Sequence, residues 1–227
     1  MVDAVLLEWE GVLAGTFVAR RDALLRALAD EGVAIDETVV MTECRGRTTH
    51  AATTMLLARA GHTDPTLVEL VALRATRTFA ERLGKGFVLL PGARDFIERV
   101  QSSAPIGVVT CATRAETEFM LGLAGLDRAV TTIVSADDGV APPPSSATFD
   151  RALENLARRR PVQRERVVAL APTARALRAA RAAGVRAIAV CSPAHVALDA
   201  DGAVESIDGL TVGDLAALSG ISMLERR

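Results

Sequence analysis

The chain has 227 residues, of which 50% are hydrophobic and 24% are charged, and its formal net charge is −2. This length allows one substantial domain, or a domain that carries a smaller insert. The near-neutral charge gives no reason to expect nucleic acid or an anionic membrane as a partner. An odd number of cysteines without metal-ligand spacing, and no apolar run long enough to cross a bilayer, predict a cytoplasmic protein in a reducing environment.

The first predicted element is a buried strand over residues 4–7, because a short apolar run is typical of a parallel sheet. Two carboxylates follow it, Glu8 and Glu10, and Gly11 then permits a tight turn. Ligands and catalytic groups of parallel α/β sheets lie at the carboxyl ends of the strands. Glu8 and Glu10 are therefore candidate functional residues. The plain alternative for Glu8 is a solvated residue at a strand end, with no chemical role.

Residues 17–83 contain helical patterns and no convincing strand. Breaks rich in glycine separate the helices, which we expect over residues 17–31, 36–43, 48–60 and 66–83. Arg47 and His50 lie at the start of the third of these helices. They are candidates for binding an anionic ligand, and the alternative that they belong to a solvated loop stays open.

From residue 87 the pattern alternates between helix and strand. We expect strands over residues 105–110, 129–134, 167–170 and 187–191, and helices over residues 90–102, 114–123, 146–159, 173–183 and 207–218. Strands separated by helices of this length predict an α/β fold with a doubly wound parallel sheet. Thr110 ends one strand, and Cys111 and Arg114 follow it, so all three are placed near the carboxyl edge of that sheet.

The spacing Glu8-x-Glu10-Gly11 resembles the first motif of the haloacid dehalogenase (HAD) superfamily, which carries Asp-x-Asp-Gly at this place. The resemblance extends over essentially the whole chain. An all-helical block directly after the first strand is similar to the helical cap of the phosphoglucomutase and phosphoglycolate phosphatase branch. The resemblance therefore implies an α/β core formed by residues 1–15 and 87–227, with a helical cap formed by residues 16–86.

The resemblance also implies roles for the candidate residues. In the family the first acid is the nucleophile that accepts the phosphoryl group, and the second is the general acid/base; these positions are Glu8 and Glu10. A strand-terminal Ser or Thr, here Thr110, holds a phosphoryl oxygen. Both acids are one methylene longer than in the family, and a displacement of about 1 Å can lower a rate on the order of 10²-fold. The implied substrate-binding positions are Arg47, His50, Cys111 and Arg114.

Two further motifs depart from the family. The lysine of the third motif falls on Pro143 or on Ala141, depending on the alignment, and neither is basic. The acids of the fourth motif, which hold Mg²⁺ in the family, fall on Ala171 and Pro172. Because Mg²⁺ is bound through carboxylates, we expect no metal ligands and no cofactor here. Mg²⁺ is expected only if the chain is an active enzyme.

Three functions stay open. The leading prediction is a HAD-like hydrolase homologue that has lost Mg²⁺-dependent phosphatase activity and binds a small phosphorylated metabolite or a protein partner. The second is an active phosphatase or phosphomutase with a non-standard site, in which Glu8 is the nucleophile and Glu10 the acid/base. The third is a structural subunit of a larger assembly. In a site without metal and lysine, Glu8 and Glu10 would relieve their repulsion by raising one pKa, or by pairing with an arginine such as Arg47 or Arg114.

Overall fold

The computed structural model describes residues 1–87, 89–190 and 194–221. The chain forms two compact units: Met1–Ala14 with Leu89–Arg227, here called the core unit, and Gly15–Val88, here called the helical insert. Each unit has its own cluster of buried apolar side chains. Within the described ranges, no helix has both the length and the apolar character that crossing a membrane requires.

The core unit is built on a six-stranded sheet in the order β3-β2-β1-β4-β5-β6, and every neighbouring pair is parallel. The strands are β1 Ala4–Glu8, β2 Ile106–Val109, β3 Val130–Val134, β4 Val167–Ala171, β5 Arg186–Val190 and β6 Gly202–Val204. The chain extends the sheet on one side of β1 up to β3, then returns to β4 and extends the other side. This topology confirms the predicted α/β fold with a doubly wound parallel sheet.

Helices cover the sheet because its central strands are apolar on both faces; β1 and β4 are buried throughout. The helices of the core unit are α5 Ala93–Gln101, α6 Arg114–Ala124, α7 Ala147–Ala157, α8 Ala174–Ala182, α9 Ala194–Ala197 and α10 Val212–Leu218. Phe149 of α7 and Leu177 of α8 share one buried cluster with Leu6 and Ala169 of the sheet. The start of α7 and the start of α8 therefore lie close to the central strands.

The helical insert contains α1 Phe17–Asp30, α2 Glu37–Glu43, α3 Thr49–Arg59 and α4 Pro65–Leu83. Three of these helices begin with a side chain that accepts a hydrogen bond from the first turn, Asp36, Thr48 and Asp64. Helix α1 packs along α4, and Leu28, Leu56 and Val71 meet in the centre of the insert.

The carboxyl-terminal part differs from the expectation. Strand β6 was not predicted, and the helix expected over residues 207–218 begins only at Val212. The helix begins later for a local reason. Gly209 has a φ of +73°, which is not helical, and Thr211 caps the helix together with Asp214. Cys191, the last residue of the predicted fifth strand, lies outside the described residues.

Candidate functional site

The two acids of the first motif lie at the end of β1: Glu8 is the last residue of the strand, and Glu10 belongs to the turn that follows it. The backbone of this turn is closed by hydrogen bonds from the Ala14 N–H to the Trp9 carbonyl (3.1 Å) and from the Gly11 N–H to the Ala14 carbonyl (2.9 Å). Gly11 has a φ of +88°, and a Cβ atom there would lie 2.7 Å from Cγ of Pro172. Only glycine allows this turn to lie against the Pro172 ring.

The sheet brings the other motif positions to the same edge. Glu8 pairs with Val109 of β2, and Leu7 pairs with Leu170 of β4. Thr110, which follows β2, and Ala171, the last residue of β4, therefore lie beside Glu8, at the point where the strand order reverses. Ligands of open α/β sheets bind at such switch points.

A pocket opens at this edge, here called the core pocket. Its volume is about 230 Å³, including its opening to solvent. It is lined by Glu8, Val109, Thr110, Cys111, Pro143, Thr148, Phe149 and Ala176. This set contains one acid, two hydroxyls and a thiol, and its other members are apolar. No Lys, Arg or His is among the described residues that line it.

Glu8 is buried in this pocket, with only 9% of its surface exposed. Burial, and secondly the charge of Glu10, raise the pKa of Glu8 from 4.5 to about 8. Its Oε2 atom is buried and has no hydrogen-bond partner in the described part of the chain. The alternative of a solvated Glu8 is therefore wrong, and its raised pKa is one of the two expected ways to relieve the repulsion between the acids.

Thr110 and Cys111 line the core pocket as neighbours of Glu8. The Thr110 hydroxyl accepts a hydrogen bond from the Ala112 N–H at 3.0 Å, and the Thr110 N–H donates to the Val134 carbonyl at 2.9 Å. These bonds hold the side chain at the end of β2. Glu10 influences Glu8 through its charge but is not part of the lining.

The Arg114 side chain is directed to the loop after β3. Its guanidinium donates to Asp138 at 2.9 Å and to the Ile133 carbonyl at 3.0 Å. Burial alone would raise the pKa of Asp138, but hydrogen bonds from Ser135 and Arg114 lower it. Arg114 does not line the core pocket. The expected pairing of Arg114 with the two glutamates is therefore replaced by its pair with Asp138, and a role in substrate binding stays a prediction.

Pro143 faces the core pocket, whereas Ala141 does not line it. The Ala141 carbonyl instead accepts a hydrogen bond from the Thr148 hydroxyl at 3.2 Å. This placement favours Pro143 as the position of the family lysine. The guanidinium of Arg175, at the start of α8, donates to the Pro143 carbonyl. Sequence reasoning did not single out Arg175, because no motif includes it.

The donor set does not fit Mg²⁺. This ion prefers oxygen ligands built around one or two carboxylates, and Ala171 and Pro172 offer none at the end of β4. The remaining carboxyl in the core pocket, Glu8, favours its neutral form near pH 7. No group of three or more His, Cys, Asp or Glu residues suited to a metal occurs in the described ranges.

Arg47 and His50 belong to the helical insert, which has a pocket of its own of about 270 Å³, here called the insert pocket. It is lined by Phe17, Arg20, Arg21, Leu24, Val40, Cys44, Arg47, Thr49 and Ala52. The Arg47 Nε atom donates to the Glu43 carbonyl at 2.7 Å. His50 is exposed, lies 2.9 Å from Glu69 and does not line this pocket. Substrate binding by Arg47 and His50 stays a prediction.

The model of the family of haloacid dehalogenase-like hydrolases matches residues 10–190. The chain belongs to this family. A search of curated proteins finds no significant match. Membership of this family assigns the chain to the HAD-like hydrolases, and similarity to solved structures shows its fold.

Three HAD structures illustrate that fold. β-Phosphoglucomutase from Clostridium difficile has a TM-score of 0.87 at 16% identity, with 99% of this chain and 100% of that chain covered. CbbY from Rhodobacter sphaeroides, in complex with phosphate, has a TM-score of 0.83 at 23% identity, covering 95% and 99%. A predicted phosphoglycolate phosphatase from Haemophilus somnus has a TM-score of 0.77 at 15% identity, covering 91% and 95%. The HAD-like chain thus has the fold of the phosphoglucomutase and phosphoglycolate phosphatase branch.

Proposed function

We propose that this HAD-like protein no longer carries out Mg²⁺-dependent phosphoryl transfer and acts by binding a small ligand in the core pocket. The ligand is a metabolite, or a metabolite-sized group carried by a protein partner. The observation that carries the proposal is the lining of the core pocket, which keeps a buried acid and has no basic residue.

Phosphoryl transfer needs positive charge around the transferred group, because charge develops on its oxygens. The position of the family lysine falls on Pro143 or Ala141, the positions of the metal-binding acids fall on Ala171 and Pro172, and none of these residues is charged. Loss of only one of these charges would leave the others unpaired in a cleft. Their joint absence supports a site that has changed its chemistry while keeping its framework.

The nucleophile position is also altered. A carboxyl must be ionised to attack phosphorus, and burial holds the pKa of Glu8 at about 8. At pH 7 most molecules therefore carry a neutral Glu8, which is a poor nucleophile. A bound phosphate anion would raise the pKa of Glu8 further, because no cation in the lining offsets the negative charge.

The direct test is a phosphatase assay on small phosphomonoesters at pH 7 with millimolar Mg²⁺. We expect turnover far below about 1 s⁻¹, the low end for ordinary enzymes. Glu8→Gln should behave like the unchanged protein. Glu8→Asp combined with Glu10→Asp should also stay inactive, because it repairs side-chain length but supplies neither lysine nor metal ligand. Turnover at or above about 1 s⁻¹ that Glu8→Gln abolishes would refute the proposal.

One observation favours the second function, an active phosphatase. Arg175 brings its guanidinium to the Pro143 carbonyl, next to the position of the lost lysine, and arginine is always charged. If it replaces the lysine, the same assay should detect activity that falls at least about tenfold in Arg175→Gln. Arg178→Gln is the matched control, since Arg178 lies on the same helix but pairs with Asp199.

A structural role in an assembly stays a prediction. Phe119 and Leu123 lie one turn apart on α6 and are 47% and 55% exposed. This pair is an apolar surface feature of the kind that such a role needs. Dissociation of an oligomer by Phe119→Ser, measured by size-exclusion chromatography, would favour it.

A further inference from the structure

The starting observation is the unpartnered Oε2 atom of Glu8 in the core pocket. Buried polar atoms in folded proteins nearly always have a hydrogen-bond partner, and leaving one without a partner is destabilising. The side chain is more than nine-tenths buried and forms part of the pocket wall. A ligand that donates hydrogen bonds to Glu8 would supply what the folded chain does not.

The charge of the lining determines which kind of ligand group can donate a hydrogen bond to Glu8. Glu8 is the only Asp, Glu, Lys, Arg or His among the described lining residues. An anion would be repelled once Glu8 ionises, and a neutral hydroxyl would leave the carboxylate charge uncompensated. A cation compensates the charge and donates the hydrogen bond at the same time.

The other polar groups of the lining match an ammonium group. An ammonium has three N–H donors. The lining offers the carboxyl of Glu8 and the hydroxyls of Thr110 and Thr148 as acceptors. The Thr148 hydroxyl uses its own proton for the Ala141 carbonyl, so its lone pairs remain available. The aromatic ring of Phe149 is a further favourable neighbour for a cation.

The size and apolar walls limit the ligand. The enclosed space of the core pocket is small, enough for roughly one group the size of an ammonium head. The lining also contains the apolar side chains of Val109, Pro143 and Ala176. These side chains favour a ligand with a short carbon chain next to its charged end. We propose that the core pocket binds the end of a primary alkylammonium ligand, with Glu8 as its counter-ion. This rests on the proposed function, because it concerns the same pocket in a protein that does not transfer phosphoryl groups.

Binding is then coupled to proton release. Near neutral pH, Glu8 gives up its proton when the ammonium arrives, since the pair is stable only with an ionised carboxyl. Affinity for an alkylammonium ion should therefore increase from pH 6 to pH 9. Among the described residues, Glu10 acts on Glu8 through its charge, Cys111 lines the same pocket, and Arg175 donates to the carbonyl of Pro143, which is part of the lining.

The experiment is calorimetric titration of the full chain with n-butylammonium, 1-butanol, butyrate and inorganic phosphate, each at pH 6, 7 and 9, with and without Mg²⁺. Amines of this type stay protonated over this range. We expect butylammonium to bind at least about tenfold more tightly at pH 9 than at pH 6, and more tightly than butanol and butyrate. Butylammonium titrations at pH 7 in buffers of different ionisation enthalpy should report close to one released proton per ligand, a readout that needs no variant.

Two variants complete the test. Glu8→Gln keeps the shape of the side chain and should weaken butylammonium binding at pH 9 at least about tenfold, with the pH dependence lost. Glu154→Gln, on the exposed face of α7 where Glu154 pairs with Arg151, should bind like the unchanged protein. Thermal melts of both variants verify that they fold.

The outcomes separate the two proposals. No binding of butylammonium at pH 9, equal binding of butanol, or unchanged binding in Glu8→Gln would overturn the ammonium site and leave the loss of phosphoryl transfer standing. Phosphate binding that requires Mg²⁺ and disappears in Glu8→Gln would overturn the proposed function itself.

Discussion

The two pockets of this protein differ in the sign of their ionisable side chains and in whether those side chains have hydrogen-bond partners. In the insert pocket, Arg21 donates to Glu37 at 2.6 Å and Arg47 to the Glu43 carbonyl at 2.7 Å, so these cations have partners within the insert. In the core pocket, Glu8 is buried and one of its oxygens has no hydrogen-bond partner in the described residues. The sequence shows charged residues at both places, but only the structure distinguishes a satisfied charge from an unsatisfied one.

The stability of the two units should also depend on pH in different ways. Burial raises the pKa of Glu8 to about 8, so the core unit loses stability when this proton is removed. In the insert, burial alone would raise the pKa of Asp22, but hydrogen bonds and charge from Arg21 and Arg82 lower it. The insert therefore loses stability when Asp22 gains a proton. The two units should respond to pH in opposite directions, and three predictions follow from this contrast.

The largest expected effect is that of Glu8→Gln on stability at high pH. The unfolded chain loses the Glu8 proton near pH 4.5 and the folded chain near pH 8. Stability of the unchanged protein should fall as pH rises from about 4.5 to about 8, and then level off. The shift in pKa corresponds to a loss of at most about 5 kcal/mol in the free energy of unfolding. Because water penetration weakens the effect of burial, we expect a loss of roughly 3 kcal/mol. At pH 9, Glu8→Gln should melt about 6–12 °C higher than the unchanged protein.

The control for this effect is the same pair of proteins at pH 4, where Glu8 is mostly neutral in both states and the melting temperatures should nearly agree. Glu10→Gln should produce a smaller shift in the same direction, because the Glu10 charge is the second cause of the raised pKa. Parallel pH profiles for the unchanged protein and Glu8→Gln would show that Glu8 is not buried as described.

An intermediate effect is expected from a lysine in the core pocket. Pro143→Lys would place a cation in the lining beside Glu8, and an opposite charge at this range lowers a carboxyl pKa by about 1–3 units. Carbon-13 NMR of the glutamate carboxyls would follow the titration. Ala141→Lys is the matched control, since Ala141 does not line the pocket. A pKa shift in Ala141→Lys alone would place the family lysine at residue 141 instead.

The smallest effect is expected in the insert. Asp22→Asn removes a half-exposed acid that accepts hydrogen bonds from Arg21 at 2.8 Å and Arg82 at 2.9 Å. Because solvent screens such pairs, we expect a loss of about 0.5 kcal/mol at pH 7, which should shrink with added salt and on acidification through the Asp22 pKa. Glu81→Gln, which removes a more exposed pair with Arg77, should change the melting temperature less. A larger loss in Glu81→Gln would reverse this ranking.

Much of the fold was predictable because burial is encoded in local pattern. The strands next to the centre of the sheet are uninterrupted apolar runs, such as β4, and the structure places each of them within the sheet. Strand β6 has only three residues, none of them fully buried, so it carries no comparable signal. The late start of α10 depends on the conformation of Gly209 and on a cap between side chains.

The site was less predictable, since its properties come from residues far apart in sequence. A glutamate at a strand end suggests a solvated side chain, whereas Glu8 is buried in a pocket that is also lined by Phe149 and Ala176, from two different helices. The motif positions Thr110 and Cys111 do line the pocket with Glu8. The pairing of Arg114 with Asp138, and of Arg175 with the Pro143 carbonyl, depends on side-chain geometry that spacing does not encode.

The contact between Gly11 and Pro172 affects which substitutions this site can accept. Pro172→Asp as a first step would remove the ring that lies against Gly11 and bring another acid to the edge where Glu8 and Glu10 already repel each other. Pro143→Lys as a first step would give Glu8 a counter-ion. On this electrostatic ground, a first substitution that brings a cation to the core pocket should be tolerated better than one that brings another acid.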